Sequence, residues 1–379
     1  MDEEKTSTGY DVKMIAMITI LIILVAGLSG YVLTRDDNGE EKEPIKIGVI
    51  VSMSGPASHM VRVKNGIELA VDDVNEKGGV NGRKIQLIIE DSESNNTVAV
   101  EAFRRIEEEH HPLLYLATQS SVCMELAPLA AEYSVPLIGL VASAEDLGNQ
   151  NDWTFRFYVS AREEVTPIHK IIRDLNIDDL GVLYQDDEYG RSVLEEMERD
   201  YRPGGGNISN ASFSPTTTDL RAGITALNDT EAIFLVGFAN KYVPASEQMA
   251  ELNYSGYRLM ASGAVSDGYI TQTHSQGSYL AAPIIYKEGF PYIEEVEKEY
   301  EKEFESAFTH QAANGFDCIS LLDGLLDGEE LTRDNIRSQL VRGYTHPGIF
   351  GDIDVPVGSH DILFPLYLTK VENSELIYL

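Results

Sequence analysis

Apolar positions along this chain fall into short continuous runs, separated by longer stretches in which they recur every three to four residues. The runs at Ile45–Val51, 84–90, 113–117 and 135–141 read as strands buried on both faces. Between them, Ile67, Ala70, Val71 and Val74 share one face of a helix that Gly78-Gly79 ends. Two more helices are predicted, over 97–109 and after Ser120, the latter with Leu126, Leu129 and Ala130 inward. This βαβα order predicts a parallel sheet covered on both faces. After a strand at 153–159 the pattern starts again: helix 163–175, strand 180–184, a helix from Gly190, strand 208–213, helix 219–227, strand 232–236, helix 245–252, strand 257–261 and a return strand at 279–286. Helices at 292–308, 311–326 and 332–342 and strand-like segments at 362–371 and 376–379 complete the chain. The expected fold is α/β: two Rossmann-like lobes with parallel-type sheets about a multi-strand hinge. The first lobe is expected from 45–160 plus 285–350 and the second from 161–284 plus 351–379.

The N-terminal region follows a different rule. Residues 14–33 are twenty positions without a charge, enough as a helix to cross a hydrocarbon core of roughly 30 Å. Lys5 and Lys13 precede this run, and Arg35 with a row of acids follows it. The expectation is a single N-terminal transmembrane helix behind a cytoplasmic tail (1–13), with an acidic linker (34–44) leading to a body outside the cytoplasm. A cleaved signal peptide is the alternative. Five N-x-S/T sequons, at Asn95, Asn207, Asn210, Asn228 and Asn253, are compatible with an exported body.

Charge then excludes partners. A net charge of −33 repels nucleic acid and anionic lipid. Cys123 and Cys318 sit in apolar helical patterns and read as small buried residues; a disulfide between them is permitted by the compartment but not indicated by spacing. No G-x-G-x-x-G follows the first strand, and no G-x-x-x-x-G-K-[ST] or G-x-S-x-G occurs, so the sequence carries none of these marks of an enzyme. His110 and His111 beside the acids 107–109 read as a solvated helix end, because consecutive residues cannot all face one ion.

Several short motifs occur in a fixed order. A strand, Ser-Gly-Pro and a helix with Asn65-Gly66 come first, then Lys77-Gly78-Gly79-Val80-Asn81-Gly82-Arg83-Lys84. Ser120-Ser121, Ala127-Pro128, Val135-Pro136, Phe155-Arg156 and Asp186-Asp187-Glu188-Tyr189-Gly190 follow, and Gly315-Phe316-Asp317 and Phe350-Gly351-Asp352-Ile353 come last. In this order the chain, from Ile45 to its end, resembles the type I periplasmic solute-binding proteins of the leucine/isoleucine/valine-binding branch. The resemblance implies a clamshell that closes on a small polar solute and hands it to an ABC-type permease. A sensing receptor of the same fold, signalling through a separate protein, is the alternative.

The resemblance also assigns residues. Ser120 and Ser121, between a strand end and a helix start, match a carboxylate-binding turn, and free helix-terminal amides suit that role. Ala142 and Ser143 match the second such turn, and Tyr189 matches a tyrosine that packs on the ligand. Tyr242 is the counterpart of another cleft tyrosine, and His59 and Met60 stand where the family places an aromatic lid. One departure concerns the acid that pairs a ligand ammonium in amino-acid binders. Its place falls near Gly263, leaving Asp267 as the nearest candidate, or a solute without an ammonium.

Overall fold

The structure, a computed structural model, describes residues 42–201, 205–265, 268–285 and 291–379. The apolar segment 14–33 and the candidate Asp267 lie outside the described residues. Among the described residues no helix is long and apolar enough to cross a membrane.

The first series runs β1 (Ile45–Val51), α1 (Val61–Glu76), β2 (Ile85–Asp91), α2 (Asn96–His110), β3 (Leu114–Thr118), α3 (Ser120–Tyr133), β4 (Leu137–Leu140) and β5 (Thr154–Phe157). Its strands lie in the order β2-β1-β3-β4-β5, all parallel. The second series runs α4 (Ala161–Asp174), β6 (Asp179–Gln185), α5 (Glu188–Tyr201), β7 (Asn207–Phe213), α6 (Arg221–Ala226), β8 (Ala232–Val236), α7 (Tyr242–Glu251), β9 (Tyr257–Met260) and β10 (Tyr279–Ala282). Its parallel strands repeat the same order, β7-β6-β8-β9-β10. The chain then returns to the first lobe with α8 (Pro291–Phe304), α9 (His310–Leu326) and α10 (Arg333–Gln339), followed by the hairpin β11 (Tyr344–Gly348) and β12 (Gly351–Val355). Each lobe has its own apolar core, and α9 shares one with β1 and α1.

The Asn65-Gly66 and Gly315-Phe316-Asp317 motifs acquire a physical reason here. A Cβ on Gly66 would sit 2.0 Å from the Ala312 carbonyl oxygen, and one on Gly315 2.2 Å from that of Val63. Helices α1 and α9 therefore meet backbone to backbone, and only glycine at both crossings permits it.

Two expectations change. Residues 351–362 were assigned to the second lobe, but β13 (Asp361–Ile362) pairs with β5 in the first sheet. The strand predicted over 362–371 is thus two strands in different sheets. Only β14 (Tyr367–Glu372), antiparallel to β10, and β15 (Glu375–Tyr378), antiparallel to β14, extend the second. Pro365, without an N–H to give to a ladder, lies between β13 and β14. The solvated helix end at 107–111 is also not uniform. Glu107 is buried and takes a 2.8 Å contact from Arg333 and a hydrogen bond from the Tyr115 hydroxyl.

Candidate functional site

In both sheets the strand order reverses beside the first strand of the series, and at such a switch point the loops leave the carboxyl edge in opposite directions and open a crevice. The two crevices face each other across one cavity. Its first-lobe wall includes Met60, Gln119, Ser120, Ser121, Val141 and Ser143; its second-lobe wall includes Asp187, Tyr189, Gly237, Phe238, Ala239, Ser262 and Gly263. Tyr158, at the crossing between lobes, and His310 and Gln311, opening α9, complete it with His59. About 40 Å³ is open to the centres of water-sized spheres, roughly three times what a single water needs. The lobes touch around it: the rings of His59 and Phe238 lie 5.6 Å apart, the Glu145 N–H donates to Ser192 Oγ at 2.8 Å, and the Tyr158 hydroxyl donates to Ser262 Oγ at 3.3 Å.

The first-lobe turns are held in uncommon backbone conformations. Gln119 has φ 73° and Val141 φ 48°; left-handed backbone costs a residue with a Cβ about 1–2 kcal/mol, and more where the side chain is β-branched. Such strain persists only where the surroundings impose it. For Gln119 the imposing contact is its side-chain oxygen, which accepts from Ser52 Oγ beneath the turn. No side chain caps the N-terminus of α3, which begins at this turn. Ser120 does not cap its own helix either. Its Oγ accepts the Ala144 N–H at 3.1 Å, stitching the turn after β3 to the turn after β4 and leaving its hydroxyl hydrogen to donate elsewhere. Uncapped amides, two serine hydroxyls and Ser143 make an anion-accepting wall. No lysine or arginine is among the described residues on it.

The second-lobe wall is built around a carboxyl group that does not line the cavity. Glu164, in the first turn of α4 and fully buried, accepts the Tyr189 hydroxyl at 3.1 Å on each oxygen and the Ser262 N–H. Burial holds its carboxyl above the ordinary glutamate range. Asp187 lines the cavity and caps α5, accepting the Gly190 N–H at 2.9 Å; burial raises its pKa too. At Gly263 a Cβ would come within 3.0 Å of the Tyr242 ring and 3.2 Å of the Gly237 carbonyl oxygen. An acid there would have to displace Tyr242, which gives the departure noted in the sequence a steric cause.

Of the residues singled out in the sequence, His59, Ser120, Ser121, Ser143 and Tyr189 converge on the cavity. Ala142 and Tyr242 do not reach it. Ala142 packs in the core behind Ser143, and Tyr242 stands behind Gly263 with its hydroxyl donating to the Gly237 carbonyl at 3.0 Å. Sequence reasoning missed Glu164, Tyr158, Gln119, His310 and Gln311. A signal for Glu164 was present: it lies four residues before Ile168 and next to Val165 on the apolar face of α4, and a charge on a buried face is the informative kind of exception.

Comparison with known proteins gives the same picture. The family profile described as periplasmic binding protein matches residues 44–375. The Leu/Ile/Val-binding protein homolog 7 of Brucella abortus is 26% identical over 244 residues, a match spanning 60% of this chain and 60% of that protein. A solute binding protein of an ABC transporter from Rhodopseudomonas palustris, solved with 3,4-dihydroxybenzoic acid, superposes with a TM-score of 0.79 at 20% identity, covering 89% of this chain and 96% of that one. The branched-chain amino acid transporter substrate binding protein LivJ from Streptococcus pneumoniae, solved with isoleucine, gives 0.76 at 19% identity, covering 89% and 100%. Paired α/β lobes in matching strand order, a cavity at both switch points and a profile match over nearly the whole described chain lead to one conclusion: the chain belongs to the periplasmic binding protein family.

Proposed function

We propose that this protein captures a small carboxylate-bearing solute between its lobes, outside the cytoplasm, for delivery to an ABC-type permease. The observation that carries this reading is the α3 N-terminus: strained backbone at Gln119 and Val141 presents uncapped amides and the Ser120, Ser121 and Ser143 hydroxyls to the cavity. Helix-terminal amides and hydroxyls hold an anion without a cationic side chain. The ligands seen in two structural neighbours, isoleucine and 3,4-dihydroxybenzoic acid, differ in shape and share a carboxylate. Tyr189 faces this group from the second lobe, so closure brings a phenol ring onto the solute. With glycine at position 263, an ammonium has its nearest cavity-lining carboxyl in Asp187. The apolar segment 14–33 serves as the anchor, and the linker 34–44 keeps the clamshell close to the membrane and its permease.

Thermal unfolding of the purified protein tests the reading. The panel holds branched-chain amino acids, hydroxybenzoates and short hydroxy acids, each beside its primary amide. A carboxylate that raises the melting temperature by mass action, while its amide does not, is the expected result. A shift produced only by neutral or cationic solutes would overturn it.

A further inference from the structure

The N-terminal end of α9 carries polar groups that nothing among the described residues satisfies. His310 and Gln311 line the cavity, are 3% and 1% exposed, and have His310 Nδ1 and Gln311 Oε1 buried without a hydrogen-bond partner. Two other buried polar residues of the helix have structural tasks. Asn314 donates to the Phe157 carbonyl at 3.0 Å, fixing the helix to the end of β5, and Asp317 accepts the Ile349 N–H at 2.8 Å, fixing it to the β11–β12 hairpin. His310 and Gln311 have no such task. Thr309, which precedes them, makes no side-chain cap. Buried polar groups in native proteins nearly always have partners, and each exception calls for a cause. Thr309 Oγ1 and Asn314 Oδ1 are also without a partner, but of these four residues His310 and Gln311 are the two that line the cavity, on a wall shared with the proposed carboxylate site.

We infer that His310 and Gln311 form a second polar subsite, which receives a hydroxyl group at the far end of the carboxylate solute and selects hydroxylated solutes over aliphatic ones of the same shape. This rests on the reading of the cavity as a carboxylate site. A hydroxyl is the matching group because it donates and accepts at once. It gives its one hydrogen to the Gln311 carbonyl oxygen and accepts, on a lone pair, the N–H of the imidazole tautomer protonated at His310 Nδ1. A methyl group in the same place would leave both atoms buried and unpaired. A site built to bond a hydroxyl discriminates strongly against the analogue lacking it, because its own polar groups are then stranded. A second carboxylate fits less well, since no lysine or arginine is among the described lining residues and Asp187 shares the cavity.

The test compares matched pairs that exchange hydroxyl for methyl: threonine with valine, 3-hydroxybenzoate with 3-methylbenzoate, and 4-hydroxybenzoate with 4-methylbenzoate. Calorimetric titration of the full chain gives the affinity ratio within each pair. For at least one pair the hydroxylated member should bind about tenfold or more tightly, and Gln311→Met, which keeps the length and removes the amide, should bring that ratio to near one. His310→Phe should reduce it as well. Reading the ratio separates recognition from general loosening, because a variant that merely disturbs the cavity weakens both members alike. Methyl members binding as tightly as hydroxyl members, or a ratio untouched by Gln311→Met, would overturn the subsite and leave the carboxylate reading standing. Failure of every carboxylate in the panel to bind would overturn the carboxylate reading, and this inference with it.

Discussion

Asp317 offers the sharpest link between the buried chemistry of the first lobe and a measurable stability. The Gly315-Phe316-Asp317 motif places it on the buried side of α9, where both carboxyl oxygens take the Ile349 N–H, at 2.9 and 2.8 Å. No cation is paired with it in the described structure, and burial lifts its pKa from 3.8 to about 7. A carboxyl whose folded pKa is raised contributes stability that is complete below its unfolded pKa and is lost as the pH climbs through the folded value. The window therefore runs from about pH 4 to pH 7. The shift corresponds to about 4 kcal/mol at 1.36 kcal/mol per unit. Asp317→Asn keeps an oxygen for the Ile349 N–H and removes the charge. It loses the second oxygen, which costs about 1 kcal/mol. The variant should match the wild type to within about 1 kcal/mol at pH 4 and exceed it by about 2–3 kcal/mol at pH 8. Urea unfolding followed by the fluorescence of Trp153, the chain's one tryptophan and part of the same lobe, measures this difference at each pH. Taking the difference between the two proteins cancels the general effect of a net charge of −33. A difference that is flat with pH, or that favours the wild type at pH 8, would refute the reasoning.

Three further outcomes follow from the same structure. Val141 pairs a left-handed backbone with a β-branched side chain, so Val141→Gly should unfold at a urea concentration equal to or above that of Val141→Ala, although glycine ordinarily costs about 0.5–1 kcal/mol relative to alanine; the ordinary order would show that the turn is not strained. Cys123 and Cys318 are both free and fully buried, with their thiols pushed up by burial, and they belong to different apolar clusters. An aromatic disulfide reagent should therefore label neither thiol in the native protein and both in urea, whereas a protein with no free thiol in urea would contradict this. Glu164→Gln should change stability by less than about 1 kcal/mol, while Glu164→Leu, which strands the Tyr189 hydroxyl and the Ser262 N–H, should cost about 2–4 kcal/mol; equal effects of the two would remove Glu164 from that network.

The sequence made the layered α/β core legible because buried parallel strands are continuous apolar runs and their covering helices keep a 3.6-residue period. That Ser120, Ser143 and Tyr189 would line one cavity was legible through the shared order of motifs. What could not be read depends on contacts between distant segments. The short β13 is defined by pairing with β5, some two hundred residues earlier, and its two residues leave no periodic signal. The β11–β12 hairpin was missed because its residues alternate only partly between buried and exposed. Glu164, His310 and Gln311 matter through burial, and burial of a polar residue is set by what folds over it. Tyr242 was misplaced for a related reason: a tyrosine at the right distance along the chain faces the core once a glycine stands in front of it.

The central claim is that the turns after β3 and β4 hold the carboxylate of a small solute. Calorimetric titration of the best-binding carboxylate from the thermal panel into the wild type and into the Ser120→Ala, Ser143→Ala double variant tests it most directly. Hydrogen bonds to a charged group contribute roughly 1.5–3 kcal/mol each. The affinity should therefore fall by at least about a hundredfold in the double variant, while loss of the bond from the Ala144 N–H to Ser120 Oγ lowers its stability without solute by about 1–3 kcal/mol. Unchanged affinity in that variant would contradict the account.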